Sequence, residues 1–179
     1  MPETSRYLED VGAVSKALSR LGLTPVLVGG MALVILGSRR VTRDFDFVIA
    51  KPNDRLDDVV AVFYDRGLEL VSRLSDDGDV EATIDSRRIA AIRLRKDAPS
   101  SAYFFNPKTG LRIDLLFDFP LPWAVLTKTA TTIKVRSQLL HVASERDLLR
   151  LKRIAKAARS SSGDAQDIAF LEARRNRSR

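Results

Sequence analysis

The segment Asp44-Phe45-Asp46-Phe47 carries the most specific chemical pattern in the sequence. Successive side chains of a β-strand point to opposite faces, so Asp44 and Asp46 share one face while both phenylalanines pack on the other. Two carboxylates on an otherwise apolar strand repel each other and resist desolvation. A hard divalent cation, Mg²⁺ or Mn²⁺, would relieve that repulsion, because carboxylate oxygen is its preferred ligand. The alternative is an exposed strand end whose acids pair with the arginines between positions 39 and 43.

A third carboxylate, Asp114, lies in the middle of the apolar run from Leu111 to Phe117. If this run forms a strand beside the first acidic strand, three carboxylates converge on one point. Three acids can hold two metal ions, which is the arrangement used for in-line phosphoryl or nucleotidyl displacement. A salt bridge from Asp114 to a basic side chain such as Lys134 is the alternative.

Gly29 and Gly30 end an apolar run that begins at Pro25, and a short helix is predicted to follow over residues 31–37. Glycine lets the backbone approach a phosphate closely, and free N–H groups at a helix start would point at it. The pair matches neither the P-loop nor the G-x-G-x-x-G pattern, so we expect neither of those two nucleotide sites.

Hydrophobic spacing predicts the elements that position these residues. We expect helices over residues 6–21 and 53–66, and strands or extended segments at 25–30, 44–50, 68–74, 88–95, 100–105, 111–117 and 131–143. Ser144 is predicted to cap a further helix, and a last helix follows it. The pattern is that of an α/β (α+β) fold with a mixed β-sheet flanked by helices. We expect an α/β core over residues 1–143, a helical part packed on it over 144–173, and a basic disordered tail over 174–179.

Composition excludes several other kinds of site. The 179 residues include no cysteine, which removes disulfide scaffolds, thiol nucleophiles and thiolate metal sites. The single histidine, His141, leaves no partner for a multi-histidine metal site. Neither an apolar signal segment nor a membrane span is recognisable, so we expect a cytoplasmic protein with no membrane partner.

The net charge of +7 is concentrated towards the end of the chain. Residues 141–179 contain ten basic and five acidic side chains. A basic surface favours a polyanionic partner such as nucleic acid or nucleotide phosphates. A solvated helix followed by a basic tail would give the same composition.

Taken together, these motifs resemble the DNA-polymerase-beta-type nucleotidyltransferase superfamily. The resemblance lies in Val28-Gly29-Gly30-Met31-Ala32-Leu33, then Gly37, then Arg40-x-Thr42-x-Asp44-x-Asp46-Phe47, with Asp114 as the third acid. A later stretch, Ser144 to Arg159 followed by Asp164-x-x-Asp167, resembles the AbiEii-like branch, the nucleotidyltransferase toxins. In one departure, the glycine pair replaces the Gly-Ser commonly seen, so a serine hydroxyl contact to phosphate is missing.

The resemblance implies an enzyme that moves a nucleoside monophosphate from an NTP to an acceptor and releases pyrophosphate. Asp44, Asp46 and Asp114 would hold Mg²⁺ or Mn²⁺ and carry catalysis, with Lys152 facing the triphosphate. The implied nucleotide-binding residues are Gly29, Gly30, Arg40, Thr42, Lys152 and Asp167. Asp164 and Asp167 are equally consistent with helix caps.

For the acceptor, the toxin branch and the basic charge favour RNA, in particular a tRNA 3′ end. The protein would then be the toxin of a toxin–antitoxin pair, with an antitoxin protein as partner. A small molecule such as an antibiotic, or a protein hydroxyl, is the alternative acceptor. A non-catalytic nucleotide- or RNA-binding module on the same fold is the alternative from another class.

Overall fold

The chain forms eight strands and seven α-helices in a computed structural model that describes residues 2–159 and 162–178. The strands are β1 (Val26–Val28), β2 (Asp44–Ile49), β3 (Glu69–Leu74), β4 (Val80–Ile84), β5 (Ser101–Phe105), β6 (Arg112–Phe117), β7 (Thr131–Val135) and β8 (Gln138–Val142). The helices are α1 (Pro2–Arg20), α2 (Gly29–Ile35), α3 (Leu56–Tyr64), α4 (Arg87–Asp97), α5 (Trp123–Thr127), α6 (Glu145–Ala158) and α7 (Ser162–Arg177). Among these described residues, no helix is long and apolar enough to cross a membrane.

All eight strands lie in one sheet, in the order β4-β3-β5-β6-β2-β1-β8-β7. Strand β2 is central, parallel to β6 on one side and antiparallel to β1 on the other. Strands β5 and β6 form an antiparallel hairpin, and β1 runs parallel to β8. The mixed α/β sheet predicted from the sequence is therefore confirmed.

The core lies where alternate residues of the central strands meet the helices. Phe45 and Ile113 are at most 3% exposed, whereas the acidic residues between such positions are half-buried on the other face. The ring of Phe63 on α3 stacks on that of Phe104 on β5, with centroids 3.9 Å apart. Helix α3 thus covers the face opposite the acids, and the strand alternation predicted for β2 follows from this burial.

Helix α4 replaces the strand predicted over residues 88–95. The hydroxyl of Ser86 accepts a hydrogen bond from the backbone N–H three residues on, which caps the first turn. Ala90 and Leu94 are buried at helical spacing, while Ile92 is half exposed on the outer surface. The apolar residues on both sides of this helix give it a strand-like sequence.

Helix α7 extends to Arg177, so the disordered tail predicted over residues 174–179 is helical up to that position, while Arg179 lies outside the described residues. The guanidinium of Arg174 donates to the carbonyl of Leu36 and to the carboxylate of Glu145, both at 2.8 Å. Arg174 thereby satisfies a carbonyl at the end of α2 and ties α7 to the start of α6.

Candidate active site

Three carboxylates converge on one face of the sheet because β2 and β6 lie side by side. The parallel register places Asp46 opposite Asp114 and Asp44 opposite Arg112. All three acids lie on the half-buried face of these strands, with apolar residues between them pointing into the core. This is the juxtaposition that the sequence predicted for adjacent acidic strands.

Burial and mutual repulsion raise the pKa values of the two inner acids. Burial is the largest cause that raises the pKa of Asp46 to about 6, and the charge of Asp44 adds to it. Burial likewise raises the pKa of Asp114 to about 7, followed by the charges of Asp46 and Asp44. These two acids therefore hold protons far more readily than an ordinary aspartate does.

The chemistry of this acidic cluster fits a cation. The Oδ1 atom of Asp114 is buried without a hydrogen-bond partner, although buried polar atoms are normally satisfied. No ion pair joins Asp44, Asp46 or Asp114 to a basic side chain in the described ranges. Lys134, the proposed alternative partner, lies on β7 at the edge of the sheet. Among the described residues no three acids or histidines are already arranged as the ligands of a metal ion. The cluster thus has suitable oxygen ligands, which would have to rearrange around a cation.

Gly29 allows the start of α2 to lie directly against Asp46. Its φ is +68°, and a Cβ at this position would lie 2.0 Å from Oδ2 of Asp46. Gly30 lies against the guanidinium of Arg40, where a Cβ would be 2.9 Å from Cζ. Any side chain at Gly29 would displace the carboxylate, so the glycine pair places bare backbone beside the acids.

Lys152 is buried between α6 and α7 and is held by two carboxylates. Its Nζ lies 3.3 Å from Oδ1 of Asp164 and 2.8 Å from Oδ2 of Asp167. Asp167 also accepts a hydrogen bond from Arg40, and Asp164 accepts one from Arg159 at 3.1 Å. Burial raises the pKa of Asp164, but Arg159 and Lys152 lower it further, so it lies below its usual value. This network ties both C-terminal helices to the loop that precedes β2.

The positive charges of this network extend to the acidic cluster. Lys152 and Arg40 both lower the pKa of Asp46, which shows that they lie within electrostatic range of it. The Nε atom of Arg40 is buried without a hydrogen-bond partner. Thr42 is half-buried in the loop before β2, and its hydroxyl forms no hydrogen bond with another described residue. Contacts or electrostatic interactions therefore connect all the predicted site residues to one another, with the exception of Thr42, for which the structure shows no polar contact among the described residues.

Sequence reasoning missed two side chains beside the acids. The hydroxyl of Tyr103 on β5 donates to Oδ1 of Asp44 at 3.2 Å, and Tyr103 pairs with Asp114 across the hairpin. Arg112 lies opposite Asp44 in the register and forms an ion pair with Asp79 at 3.5 Å. Arg112 could have been found because it precedes Asp114 by two residues and so shares its face. Tyr103 gave no such local signal.

Much of the basic charge near the end of the chain is paired. Arg153 pairs with Glu172 at 2.8 Å, and Arg150 with the buried Asp147 at 3.3 Å. Lys152, Arg159 and Arg174 also have carboxylate partners. These carboxylates therefore offset part of the basic charge of this segment.

Solved structures match the fold of this chain, whereas no family model matches it and no curated protein matches its sequence. An antigenic nucleotidyltransferase-like protein from Paracoccidioides brasiliensis is 17% identical with a TM-score of 0.54, over 92% of this chain and 74% of that one. The lincosamide antibiotic adenylyltransferase LnuA, solved with lincomycin bound, is 12% identical with a TM-score of 0.56, over 92% and 95% of the two chains. ANT(2″)-Ia, solved with adenylyl-2″-tobramycin, is 11% identical with a TM-score of 0.57, over 92% and 86%. The chain therefore has the nucleotidyltransferase fold, as the sequence resemblance implies.

Proposed function

We propose that this protein is a metal-dependent nucleotidyltransferase, which moves a nucleoside monophosphate from an NTP to an acceptor hydroxyl and releases pyrophosphate. The observation that carries this function is the convergence of Asp44, Asp46 and Asp114, with one buried oxygen of Asp114 left unpaired. Two raised pKa values mean that the cluster lowers the stability of the fold when it is ionised. A cost of this kind is typical of a site that receives a cation. The nucleotidyltransferase fold supports the same function.

Each group has a distinct role in this reaction. Asp44, Asp46 and Asp114 would hold Mg²⁺ or Mn²⁺, which supplies charge neutralisation for the phosphates and the reacting oxygens. The carboxylate of Asp114 accepts the proton of the attacking hydroxyl. The bare backbone at Gly29 lets the triphosphate approach the acids, and Lys152 supplies the positive charge that stabilises the departing pyrophosphate.

We propose RNA, in particular a tRNA 3′ end, as the acceptor, with the protein as the toxin partner of an antitoxin. The net charge of +7 supports a polyanionic acceptor. The stretch that resembles the toxin branch, Ser144 to Arg159 followed by Asp164-x-x-Asp167, also supports this acceptor, because three of its residues, Lys152, Asp164 and Asp167, meet in one buried network.

A small-molecule acceptor is the second candidate. Two structures with the same fold were solved with lincomycin and with adenylyl-2″-tobramycin bound. A cationic antibiotic needs an acidic pocket, and the acids of this chain are accompanied by Arg40, Arg112 and Lys152. The net charge of +7 on the whole chain, rather than the charge of the site, favours RNA over an aminoglycoside.

The test is label transfer from each α-³²P-labelled NTP with Mg²⁺, to total RNA in one set of reactions and to lincosamides and aminoglycosides in another. The Asp44→Asn/Asp46→Asn variant should be inactive, whereas the matched Asp76→Asn/Asp77→Asn variant, changed in an exposed turn, should be fully active. Label in RNA supports the proposed acceptor, and label in an antibiotic or in the protein itself replaces it. NTP binding without transfer to any acceptor favours the non-catalytic module. Absence of NTP binding would refute the nucleotidyltransferase.

A further inference from the structure

The NTP and the acceptor must reach the acidic cluster from opposite sides. In-line displacement places the attacking and leaving oxygens on opposite sides of the phosphorus atom. The groups assigned to the NTP lie on the β1 side of β2, because Gly29 and Gly30 follow β1 directly and Lys152 is on α6, which packs on α2. The acceptor must therefore approach from the β6 side, over β6 and β5. This inference rests on the proposed function.

Two aromatic rings and a guanidinium lie on that side. Tyr103 and Phe105 alternate with the buried Phe104 on β5, so both rings lie on the half-buried face. The hairpin register places Tyr103 opposite Asp114, and Phe105 opposite Arg112. The guanidinium of Arg112 lies over the ring of Phe105, 5.9 Å from its centroid. These groups form a surface that begins beside the acids and leads away from them.

The same face continues towards the edge of the sheet. Glu69 on β3 pairs with Phe105, and its carboxylate accepts a hydrogen bond from the hydroxyl of Thr83 on β4. Helix α3 packs on the opposite face of this region, where its Phe63 stacks on Phe104. With its other face covered by α3, this part of the sheet presents the rings of Tyr103 and Phe105 on the face that carries Asp114.

We propose that Tyr103, Phe105 and Arg112 form an acceptor platform on which an unpaired RNA base stacks, so that the adjoining ribose hydroxyl reaches Asp114. Aromatic rings and guanidinium planes are the side chains that stack on unpaired bases. Arg112, which pairs at 3.5 Å with the exposed Asp79, would exchange that carboxylate for the phosphate that follows the base. An RNA end has a base that can stack on these rings, whereas an aminoglycoside has no aromatic ring to stack.

Tyr103 has a second, separable role in this platform. Its hydroxyl donates to Asp44, and its ring lies opposite Asp114. Tyr103→Phe keeps the ring and removes the hydrogen bond. We expect this variant to keep the KM for RNA, to lower kcat, and to need more Mg²⁺ for half-maximal rate, because Asp44 is no longer oriented.

The decisive comparison is between Phe105→Leu, which removes the ring but keeps an apolar side chain, and Phe105→Trp, which enlarges it. Loss of one stack should raise the KM for RNA by roughly tenfold to a hundredfold. The Trp variant should keep the KM for RNA of the wild type. NTP binding, measured by thermal stabilisation, should be unchanged in both variants. Leu139→Ala, on the exposed side of β8, is the surface control and should behave as the wild type.

Equal RNA KM values for the Leu variant and the wild type would overturn the platform. Loss of NTP binding in a Leu variant that still unfolds cooperatively would overturn it too, since Phe105 would then lie on the NTP side. Transfer to small molecules but not to RNA would overturn the RNA base as the stacking group. If the wild type binds NTP but transfers to nothing, the proposed function fails while the platform stays testable. A fluorescent eight-nucleotide RNA should then bind the Leu variant at least tenfold more weakly than the wild type, and equal binding would refute the platform.

Discussion

Asp114→Asn is expected to stabilise the metal-free protein at alkaline pH. Burial, followed by the charges of Asp46 and Asp44, raises the pKa of Asp114 from 3.8 to about 7 in the folded protein. A carboxyl group whose pKa is higher in the folded state binds its proton more tightly there, so folding is most favourable where the group is protonated. Its contribution is fully present below pH 3.8 and is lost as the pH rises to about 7. The wild type should therefore lose stability across this range, and the Asn variant should lose less.

The size of the effect follows from the difference between the two pKa values. About three pKa units correspond to about 4 kcal/mol in the free energy of unfolding once the pH exceeds 7. At pH 5 the folded state still holds its proton while the unfolded state has largely lost it, so part of that cost is already present. Asp46, with a pKa of about 6, shares the same repulsion, so the two effects do not add. We expect Asn to raise the unfolding free energy by about 2–3 kcal/mol more at pH 8 than at pH 5.

Urea unfolding in EDTA at pH 5 and pH 8 measures this difference. Asp77→Asn, in an exposed turn, is the matched control and should change the unfolding free energy equally at both pH values. Addition of Mg²⁺ at pH 8 should stabilise the wild type more than Asp114→Asn, because bound metal neutralises the repelling acids. A change in stability from Asp114→Asn that is the same at pH 5 and pH 8 would show that folding does not raise the pKa of Asp114, and the reasoning would be wrong.

Three further substitutions test the contacts around the site. Gly29→Ala should abolish label transfer and lower the free energy of unfolding by about 1–3 kcal/mol, because a Cβ would overlap the neighbouring carboxylate. The control Gly22→Ala is also at positive φ but in open space, so it should stay active and lower the free energy of unfolding, measured by thermal unfolding, by about 1 kcal/mol. Asp147→Ala should lower the free energy of unfolding in urea by about 2–4 kcal/mol, because this buried carboxylate accepts hydrogen bonds from the hydroxyls of Thr129 and of Ser144, the residue that caps α6. Burial raises its pKa, but hydrogen bonds from those hydroxyls lower it further, so this stability should be present above pH 4 and decline as the pH falls below that value. Arg174→Ala should lower the melting temperature by about 2–4 °C, while the exposed end of α7 should tolerate Arg177→Ala.

Contrary outcomes are specific to each substitution. An active Gly29→Ala enzyme would show that the backbone can move away from Asp46 at little cost. A stability profile of Asp147→Ala parallel to that of the wild type in acid would mean that folding does not lower the pKa of this carboxylate. Equal melting temperatures for Arg174→Ala and the wild type would restore the prediction of a loosely held tail.

The acidic cluster could be predicted because strand alternation is a local property. The spacing of Asp44 and Asp46 determines their common face whatever the strand order, and the isolation of Asp114 in an apolar run marks it as a group that needs a partner. Tyr103 could not be predicted in the same way. Its position beside Asp44 depends on the register of the β5–β6 hairpin and on the placement of β6 beside β2, both of which are tertiary properties.

Helix α4 was mispredicted because its apolar residues serve two different surfaces. Buried Ala90 and Leu94 face the core, while Ile89 and Ile92 are at least half exposed, so the sequence shows no single apolar stripe. Without a stripe, periodicity cannot distinguish a helix from a strand, and the capping Ser86 is the better signal. The tail was mispredicted for a related reason, because its basic residues are typical of disorder unless a specific contact, such as that of Arg174, fixes them.

The charge balance of the candidate site predicts that metal and NTP bind together. Its acids are Asp44, Asp46, Asp114, Asp164 and Asp167, and its cations are Arg40, Arg112, Lys152 and Arg159. Lys152 is already paired with the two carboxylates of α7. The acids of β2 and β6 lie close enough to repel one another, and burial followed by this repulsion raises the pKa of Asp114. A triphosphate with its own negative charge would enter a site that is already acidic on balance. If the proposed function holds, we expect NTP to bind with useful affinity only together with divalent cations, which would satisfy the phosphates and the three acids at the same time. In the proposed enzyme the cation would bring the NTP into place as well as serve the chemistry, so we expect NTP binding and the relief of carboxylate repulsion to occur together.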